Sequence, residues 1–521
     1  MNLIRALGSI GGLTLVSRVL GLVRDSLFAR YVGASFASDA FLIAFRLPNL
    51  FRSLFAEGAF SAAFVPMFSK KVGASDGDTR PALSFAEEAL AVLLPILIAM
   101  TAMMEVAAFP VVWLLSGGFN DVTPGEFAYA VELARITFPY LLMISLVSLL
   151  GGILNSLHKF WVNAAAPILL NLTLIAALLL FHHDDTLVTA RNQAIGVTIA
   201  GVLQLLWLIL ACRAAGVKLR LRLPRLTPDV KKLLKLIGPA AAGAGATQIN
   251  LIISTALAAS LLAEGSVSYI YYADRLNQLP LGLIGIGLGT VLLPTIARQL
   301  GAGNDAAAMH TQNRGTELAL FLTLPATAAL VVCGAPIVAA LFQHGAFTAQ
   351  NTVFTAQALA AFSVGLPAYI LIKVLTPGFY ARSDTKTPVR YATLSILVNL
   401  IGNLALIVPL QHMGPPLATA IAAWVNVALL YNALRKRGHF EVDAQLQRRV
   451  WRLVGAAFAM GAVMFYLNDL FTPYIGGTWT VRTVAMLVLV GAGCVVYAIA
   501  CFITGAFRPG DIRSLIRRRA A

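Results

Sequence analysis

The sequence predicts an all-α polytopic membrane protein of 14 transmembrane helices, arranged as two six-helix lobes plus two C-terminal helices. Three observations carry this. Of 521 residues, 59% are hydrophobic and 12% charged, about half the charged share of a soluble protein, and mean hydropathy is +0.80. A soluble chain of this length could not cover its surface with so few charges, and disorder requires the opposite balance. The apolar runs are also long and unbroken, whereas a transmembrane barrel alternates apolar and polar positions over about ten residues. Helices satisfy the backbone inside such runs without help from neighbours. Finally, basic and neutral loops alternate between the runs.

Segments of adequate length fall near 8–31, 36–68, 86–116, 126–154, 160–182, 193–212 and 233–262 in the first half. They continue near 267–297, 316–341, 352–380, 388–410, 414–434, 450–470 and 481–506. Fourteen crossings put both ends on one side. The loops choose the side. Lys70, Lys71 and Arg80 follow the second segment, Lys159 the fourth, and eight Lys and Arg from Arg213 to Lys235 the sixth. Arg298 and Arg314 follow the eighth, Arg382, Lys386 and Arg390 the tenth, and Arg435, Lys436, Arg437, Arg448, Arg449 and Arg452 the twelfth. Arg508, Arg513, Arg517, Arg518 and Arg519 follow the last. On the other side, 117–125 has no Lys or Arg, and 181–192 has Arg191 alone. The positive-inside rule then places both termini in the cytoplasm, in a multi-pass protein of the cell inner membrane. Most of the net charge of +16 is topology, so no nucleic-acid partner is expected.

The chain repeats itself. Arg46 in AFRLPNL and Arg275 in ADRLNQLP are 229 positions apart, and Pro66 and Pro294, Pro139 and Pro367, and Asn171 and Asn399 are each 228 apart. Duplication of a six-segment unit gives a lobe over 1–212 and a second over 236–437, both inserted the same way because six is even. The basic stretch 213–235 is the expected linker, and 438–521 holds the two extra helices and a basic tail. Two such lobes are a transporter plan with a site between them near the midplane. Proline and glycine at matching places, from Pro48 to Pro66 and from Pro280 to Pro294, mark expected bends.

Ionisable residues inside the segments are costly and mark function. The first segment holds Arg18, Arg24 and Asp25; the second Asp39, Arg46, Arg52 and Glu57; the eighth Asp274 and Arg275; the tenth Lys373. Six are basic and four acidic, so a cavity lined by them is net cationic and its ligand anionic. Arginine predominates, and its guanidinium fork matches phosphate oxygens two at a time while staying charged. The alternative for each arginine is a carboxylate partner such as Asp25, Asp39 or Glu57, or a snorkelling pose. All nine of Arg18, Arg24, Asp39, Arg46, Arg52, Glu57, Asp274, Arg275 and Lys373 are candidate substrate-binding residues.

Other motifs carry no chemistry. Cys212, Cys333, Cys494 and Cys501 form no CxxC pair and read as packing residues. His182-His183-Asp184-Asp185 reads as a solvated outer loop. Ser156–Lys159 and Ser383–Lys386 fit SxxK without partner motifs, and the glycines of 285–289 lack the context of a phosphate loop. No metal, no cofactor and no nucleophile–base pair is expected, which argues against an enzyme.

Three stretches resemble one family. They are DAFLIAFRLPNLFR from Asp39 to Arg52 with FAEGAFSAAFVP ending at Pro66; Tyr272-Ala273-Asp274-Arg275-Leu276; and the run Lys373 to Arg382 with Asp384 and Lys386-Thr387-Pro388. They closely resemble the MurJ/MviN lipid II flippases of the multidrug/oligosaccharidyl-lipid/polysaccharide exporter superfamily, and the resemblance covers essentially the whole chain. It implies a fold of two six-helix lobes plus two helices. It implies lipid II as the substrate, undecaprenyl diphosphate bearing the disaccharide-pentapeptide unit of peptidoglycan, moved outward by alternating access for cell wall synthesis. The family's important arginines and aspartate match Arg18, Arg24, Asp39, Arg52 and Arg275, with Glu57 and Lys373 in the same motifs. Family members often carry a second basic residue after the position of Arg52, where this chain has Ser53. The last two helices are implied to form a groove for the polyprenyl tail. The expected partners are lipid II and membrane lipids, with cell-wall synthesis enzymes as candidate protein partners and a monomer as the working form. A drug antiporter should have an acidic, aromatic site, and a membrane transferase should show a carboxylate pair or metal motif in a large outer loop. A flippase for another polyprenyl-diphosphate-linked glycan fits the same charges.

Overall fold

The computed structural model describes residues 3–52, 59–74, 78–120 and 122–506. Among them every regular element is helical. In the first half these are α1 (Leu3–Val32), α2 (Phe36–Ala44), α3 (Arg46–Arg52), α4 (Ala59–Gly73), α5 (Arg80–Val106), α6 (Ala108–Ser116), α7 (Pro124–Thr137), α8 (Pro139–Ser156), α9 (Phe160–Leu180) and α10 (Thr186–Ala214). Then come α11 (Pro228–Leu261), α12 (Ser266–Gly301), α13 (Asp305–Val332), α14 (Gly334–Phe342), α15 (Ala349–Ser363), α16 (Leu366–Tyr380), α17 (Lys386–Leu410), α18 (Gly414–Lys436), α19 (Ala444–Ile475) and α20 (Trp479–Thr504).

Local chemistry sets many of these ends. Thr123 and Glu126 form a capping box at the start of α7, with Pro124 at the first helical position. Asp185, Thr227, Asn304, Thr348 and Asp443 each accept a backbone N–H at the start of α10, α11, α13, α15 and α19. Gly505, at φ 64°, closes α20 in the left-handed conformation that glycine adopts without a steric cost.

The breaks recur with the sequence repeat. Helices α6 and α14 are each nine residues long, and both of their ends are displaced by 226 positions (108 to 334, 116 to 342). Pro139 interrupts α7–α8 as Pro367 follows the α15–α16 break.

Ten helical stretches among the described residues are long and apolar enough to cross a membrane. Three are compound: Pro124–Ser156 covers α7 and α8, Ala349–Tyr380 covers α15 and α16, and Lys386–Lys436 covers α17 and α18 packed on each other across the 3-10 turn Gln411–Met413. Helix α1 carries Arg18, Arg24 and Asp25 along its length, α2 to α4 are individually short, and the described part of α11 includes the apolar stretch Asn250–Leu261. These three regions, and the counting of α17 with α18 as one stretch, make up the difference of four from the fourteen crossings expected.

The chain divides into two compact units, Met1–Ser268 with Gly345–Phe347, and Tyr269–His344 with Thr348–Ala521. In the first, α9 packs on α1 and α10, α8 on α4 and α10, and α11 on α4 and α6. Helix α11, which follows the basic linker in the sequence, thus packs with first-half helices. In the second, α17 packs on α18, α13 on α16, and α19 on α13 and α20. Helix α20 turns Arg482, Ala485, Leu489, Gly493, Tyr497 and Cys501 inward at helical spacing, and Leu453, Met460 and Met464 of α19 share that core. The outward faces of the pair are apolar: Phe458, Phe465, Phe502 and Ile503 are all exposed.

Candidate functional site

In the first unit, Arg24 and Asp25 are buried side by side on α1. The Arg24 guanidinium donates twice to Asp25 Oδ1, at 2.9 and 2.6 Å, and once to Asn171 Oδ1 of α9 at 3.1 Å. The Asn171 amide donates in turn to the Ser17 carbonyl at 2.9 Å. A buried cation is tolerable only when paired and hydrogen-bonded, and this group meets both conditions. Arg18 lies on the same helix about 9 Å along the axis and is exposed. Asn171 is the landmark that the repeat relates to Asn399, but Asn399 donates to Thr419 and accepts from Asn403. The first copy serves an arginine; at the repeat position of Arg24 the chain has Ile252.

Asp39 sits on α2, buried. Its carboxylate accepts from the backbone N–H groups of Gly265 and Ser268 at 2.8 Å each, and from the Ser268 hydroxyl at 2.5 Å. These donors open α12, so the partners of Asp39 are a helix start rather than an arginine. Alongside, Ser38 shares a 2.6 Å hydrogen bond with Ser268, and the Phe36 N–H donates to Glu264 at 2.6 Å. Arg46, at the start of α3, donates to the Thr255 hydroxyl and to the Leu251 carbonyl of α11, the latter at 3.2 Å. Arg52 is the last residue of α3. Its side chain, and Glu57 altogether, lie outside the described residues.

In the second unit, Asp274 accepts from Gln278 one turn on at 2.5 Å, and the Arg275 guanidinium stands 5.6 Å from the ring centre of Tyr271, a cation–π distance. Lys373 on α16 is exposed, and its ammonium reaches over α12 at Gly285. A Cβ at Gly285 would come within 2.6 Å of that nitrogen, so a larger residue there would move the Lys373 side chain from this pose.

Glu57 aside, the other eight residues fall into two groups. The first unit holds Arg18, Arg24, Asp39, Arg46 and Arg52; the second holds Asp274, Arg275 and Lys373. Arg24 pairs with Asp25 in a buried position, and Arg18 and Lys373 are exposed. Sequence reasoning missed Asn171, Gly265 and Ser268 as partners of charged residues. Asn171 offered a signal, a polar side chain in the middle of an apolar segment; the glycine and serine offered none.

The sequence model of the family described as "Lipid II flippase MurJ" matches residues 28–488. The chain is 43% identical to a "Probable lipid II flippase MurJ" of Rhizobium tropici, over 100% of this chain and 97% of that one. It is 36% identical to the "Lipid II flippase MurJ" of Burkholderia cenocepacia over the full length of both. Among solved structures it is similar to "Lipid II flippase MurJ, inward closed conformation", with a TM-score of 0.78, 27% identity, and coverage of 97% of this chain and 99% of that one. It shares its fold with "Inward-facing conformation of a multidrug resistance MATE family transporter of the MOP superfamily", at a TM-score of 0.66 and 17% identity over 81% of this chain and 94% of that one. Matched from end to end by relatives well above 30% identity, the chain belongs to the MurJ lipid II flippase family.

Proposed function

We propose that this chain is a lipid II flippase. It moves undecaprenyl-diphosphate-linked peptidoglycan precursor from the cytoplasmic to the outer leaflet of the inner membrane by alternating access. It is a transporter and not an enzyme. The observation that carries the reading is the full-length match to flippases of this family, joined to arginines held inside apolar helices.

In this reading Arg18, Arg24, Arg46, Arg52, Arg275 and Lys373 supply the cationic surface for the diphosphate, and Asp39, Glu57 and Asp274 position basic groups or helix ends around it. The exposed Arg18 and Lys373 meet the phosphates first. Arg24 joins when phosphate oxygens displace Asp25, whose Oδ1 takes two guanidinium donors. The polyprenyl tail runs along the apolar outer faces of α19 and α20. The repeats 1–212 and 236–437 act as the two lobes, both termini are cytoplasmic, and the working form is a monomer. Export of an anion from a negative interior is favoured by about 2.3 kcal/mol per charge per 100 mV.

Depletion in the native cells, with lipid II accessibility assayed at the outer face, tests the proposal. Accumulation inside with loss outside is expected. Unchanged outer lipid II in cells with no second flippase would sink this assignment and move the substrate to another polyprenyl-diphosphate-linked glycan.

A further inference from the structure

The connector between α10 and α11 has no part in the diphosphate reading. From Val217 to Thr227 it has no regular secondary structure. Lys218, Arg220, Arg222 and Arg225 are interleaved with Leu219, Leu221, Leu223 and Leu226, and no acid stands among them. Leu221, Leu223 and Leu226 are 73%, 79% and 59% exposed. All four cations are exposed as well.

This segment is strapped down. The Arg220 N–H donates to Glu87 of α5 at 2.9 Å, Arg222 pairs with Glu87 at 2.6 Å, and the Thr227 hydroxyl donates to Glu88 at 2.8 Å. Glu87 lies about 10 Å along α5 from its start at Arg80, at 1.5 Å per residue. Both α5 and α10 are among the helices apolar enough to cross a membrane. The connector thus leaves the end of one such helix and is pinned beside the first turns of another, a placement at headgroup depth. Arg222 turns to Glu87, whereas Leu221 and Leu223 are mostly bare.

We propose that residues 218–226 form a binding strap for anionic phospholipid headgroups. Leu221, Leu223 and Leu226 seat at the boundary between headgroups and acyl chains, and Lys218, Arg220 and Arg225 take the phosphates. Interleaved apolar and basic side chains at an interface match both layers of that boundary at once. An acidic protein segment would satisfy the cations but leave three leucines against polar surface. The cytoplasmic side of the connector decides only which leaflet is meant, so the proposal stands apart from the transported substrate.

Hydrogen–deuterium exchange of the full chain, reconstituted in vesicles, tests this. The two lipid compositions are phosphatidylcholine alone and phosphatidylcholine mixed with phosphatidylglycerol. Exchange across 218–226 should slow when phosphatidylglycerol is present, by about fivefold for each basic residue engaged. The slowing should fade as salt is raised. Leu221→Ser together with Leu223→Ser changes two side chains that are mostly bare, so the fold and its thermal unfolding stay intact while the slowing is lost. Equal exchange in both vesicle types overturns the proposal. So does slowing that appears only after a membrane-protein extract is added, which would make the occupant an acidic protein.

Discussion

Asp39 places a single carboxylate oxygen on both the backbone N–H and the hydroxyl of Ser268, at 2.8 and 2.5 Å. Its second oxygen holds the Gly265 N–H. A buried aspartate on α2 therefore caps α12 from outside, where the helix dipole favours negative charge. Asp39→Ala strands three donors and should cost about 2 kcal/mol or more of stability. Ser268→Ala should cost about 1 kcal/mol, and the two changes together should cost less than their sum because they break the same bonds. Thermal unfolding of the purified variants measures this. An Asp39→Ala protein as stable as its parent, yet inactive in flipping, would show that the carboxylate acts on substrate and not on α12.

Arg24 offers a comparable test of pairing. Its removal leaves Asp25, 3% exposed, as a buried charge without its guanidinium. Arg24→Ala should therefore destabilise the protein by about 3–5 kcal/mol. Arg24→Ala with Asp25→Ala removes both charges and should recover much of that loss. Arg24→Lys keeps the charge but cannot reach two partners at once, so it should fall between parent and Arg24→Ala. If the double variant folds well but does not flip, Arg24 has a substrate role beyond its structural one. Equal stability of parent and single variant would mean that the Asp25 pair carries no weight.

The helices were legible in the sequence because apolar runs, prolines and capping residues are local signals. The matched breaks before Pro139 and near Pro367 follow from proline itself. The breaks at Ala107 and Cys333 were not foreseen, yet Pro110 and Pro336 each stand third in the short helix that follows, and that shared place was a usable signal. The partners of the charged residues were not legible. Asp39 and Ser268 are 229 residues apart, and Arg24 and Asn171 are 147 apart. No periodicity encodes such distances. Glu87 and Glu317 went unnoticed for another reason: a carboxylate near the end of an apolar segment looks solvated until its burial is seen.

Those two glutamates stand on helices related by the repeat, α5 and α13, though at 230 positions apart they are not at matching places, and each grips an arginine of the chain that follows its lobe. Glu87 takes Arg222, and Glu317, 3% exposed, takes both Arg314 of its own helix and Arg449 of α19. Arg314 also pairs with Asp443, which caps α19. Glu317→Ala removes a buried carboxylate shared by two arginines, although Arg314 keeps Asp443, and should cost about 3–5 kcal/mol. Its larger effect should be on α19, made more open to proteolysis near Asp443. Glu87→Ala should cost less, because the Arg222 side chain is 46% exposed and returns to water. Limited proteolysis beside thermal unfolding separates the two. Equal losses for both variants would contradict this ranking.

Asp384, in the turn between α16 and α17, supplies a pH dependence outside the crossing helices. Its carboxylate accepts from the Thr387 hydroxyl at 2.6 Å, the Thr387 N–H at 3.0 Å and Arg437 at 2.7 Å. The Thr387 hydrogen bonds foremost, then Arg437, hold its pKa well below the ordinary carboxylate range. A group depressed in the folded state contributes its stability in full above its unfolded pKa, about 3.9. It loses that contribution as pH falls below this value toward the folded pKa. The parent should therefore unfold at a higher temperature than Asp384→Ala at pH 7. The gap should narrow as pH falls below about 4. Unfolding temperatures of both proteins across pH 3 to 7 (the range set by these two values) measure the gap directly. A gap that stays constant, or widens in acid, would mean that the bonds to Thr387 and Arg437 do not depend on the charge of Asp384.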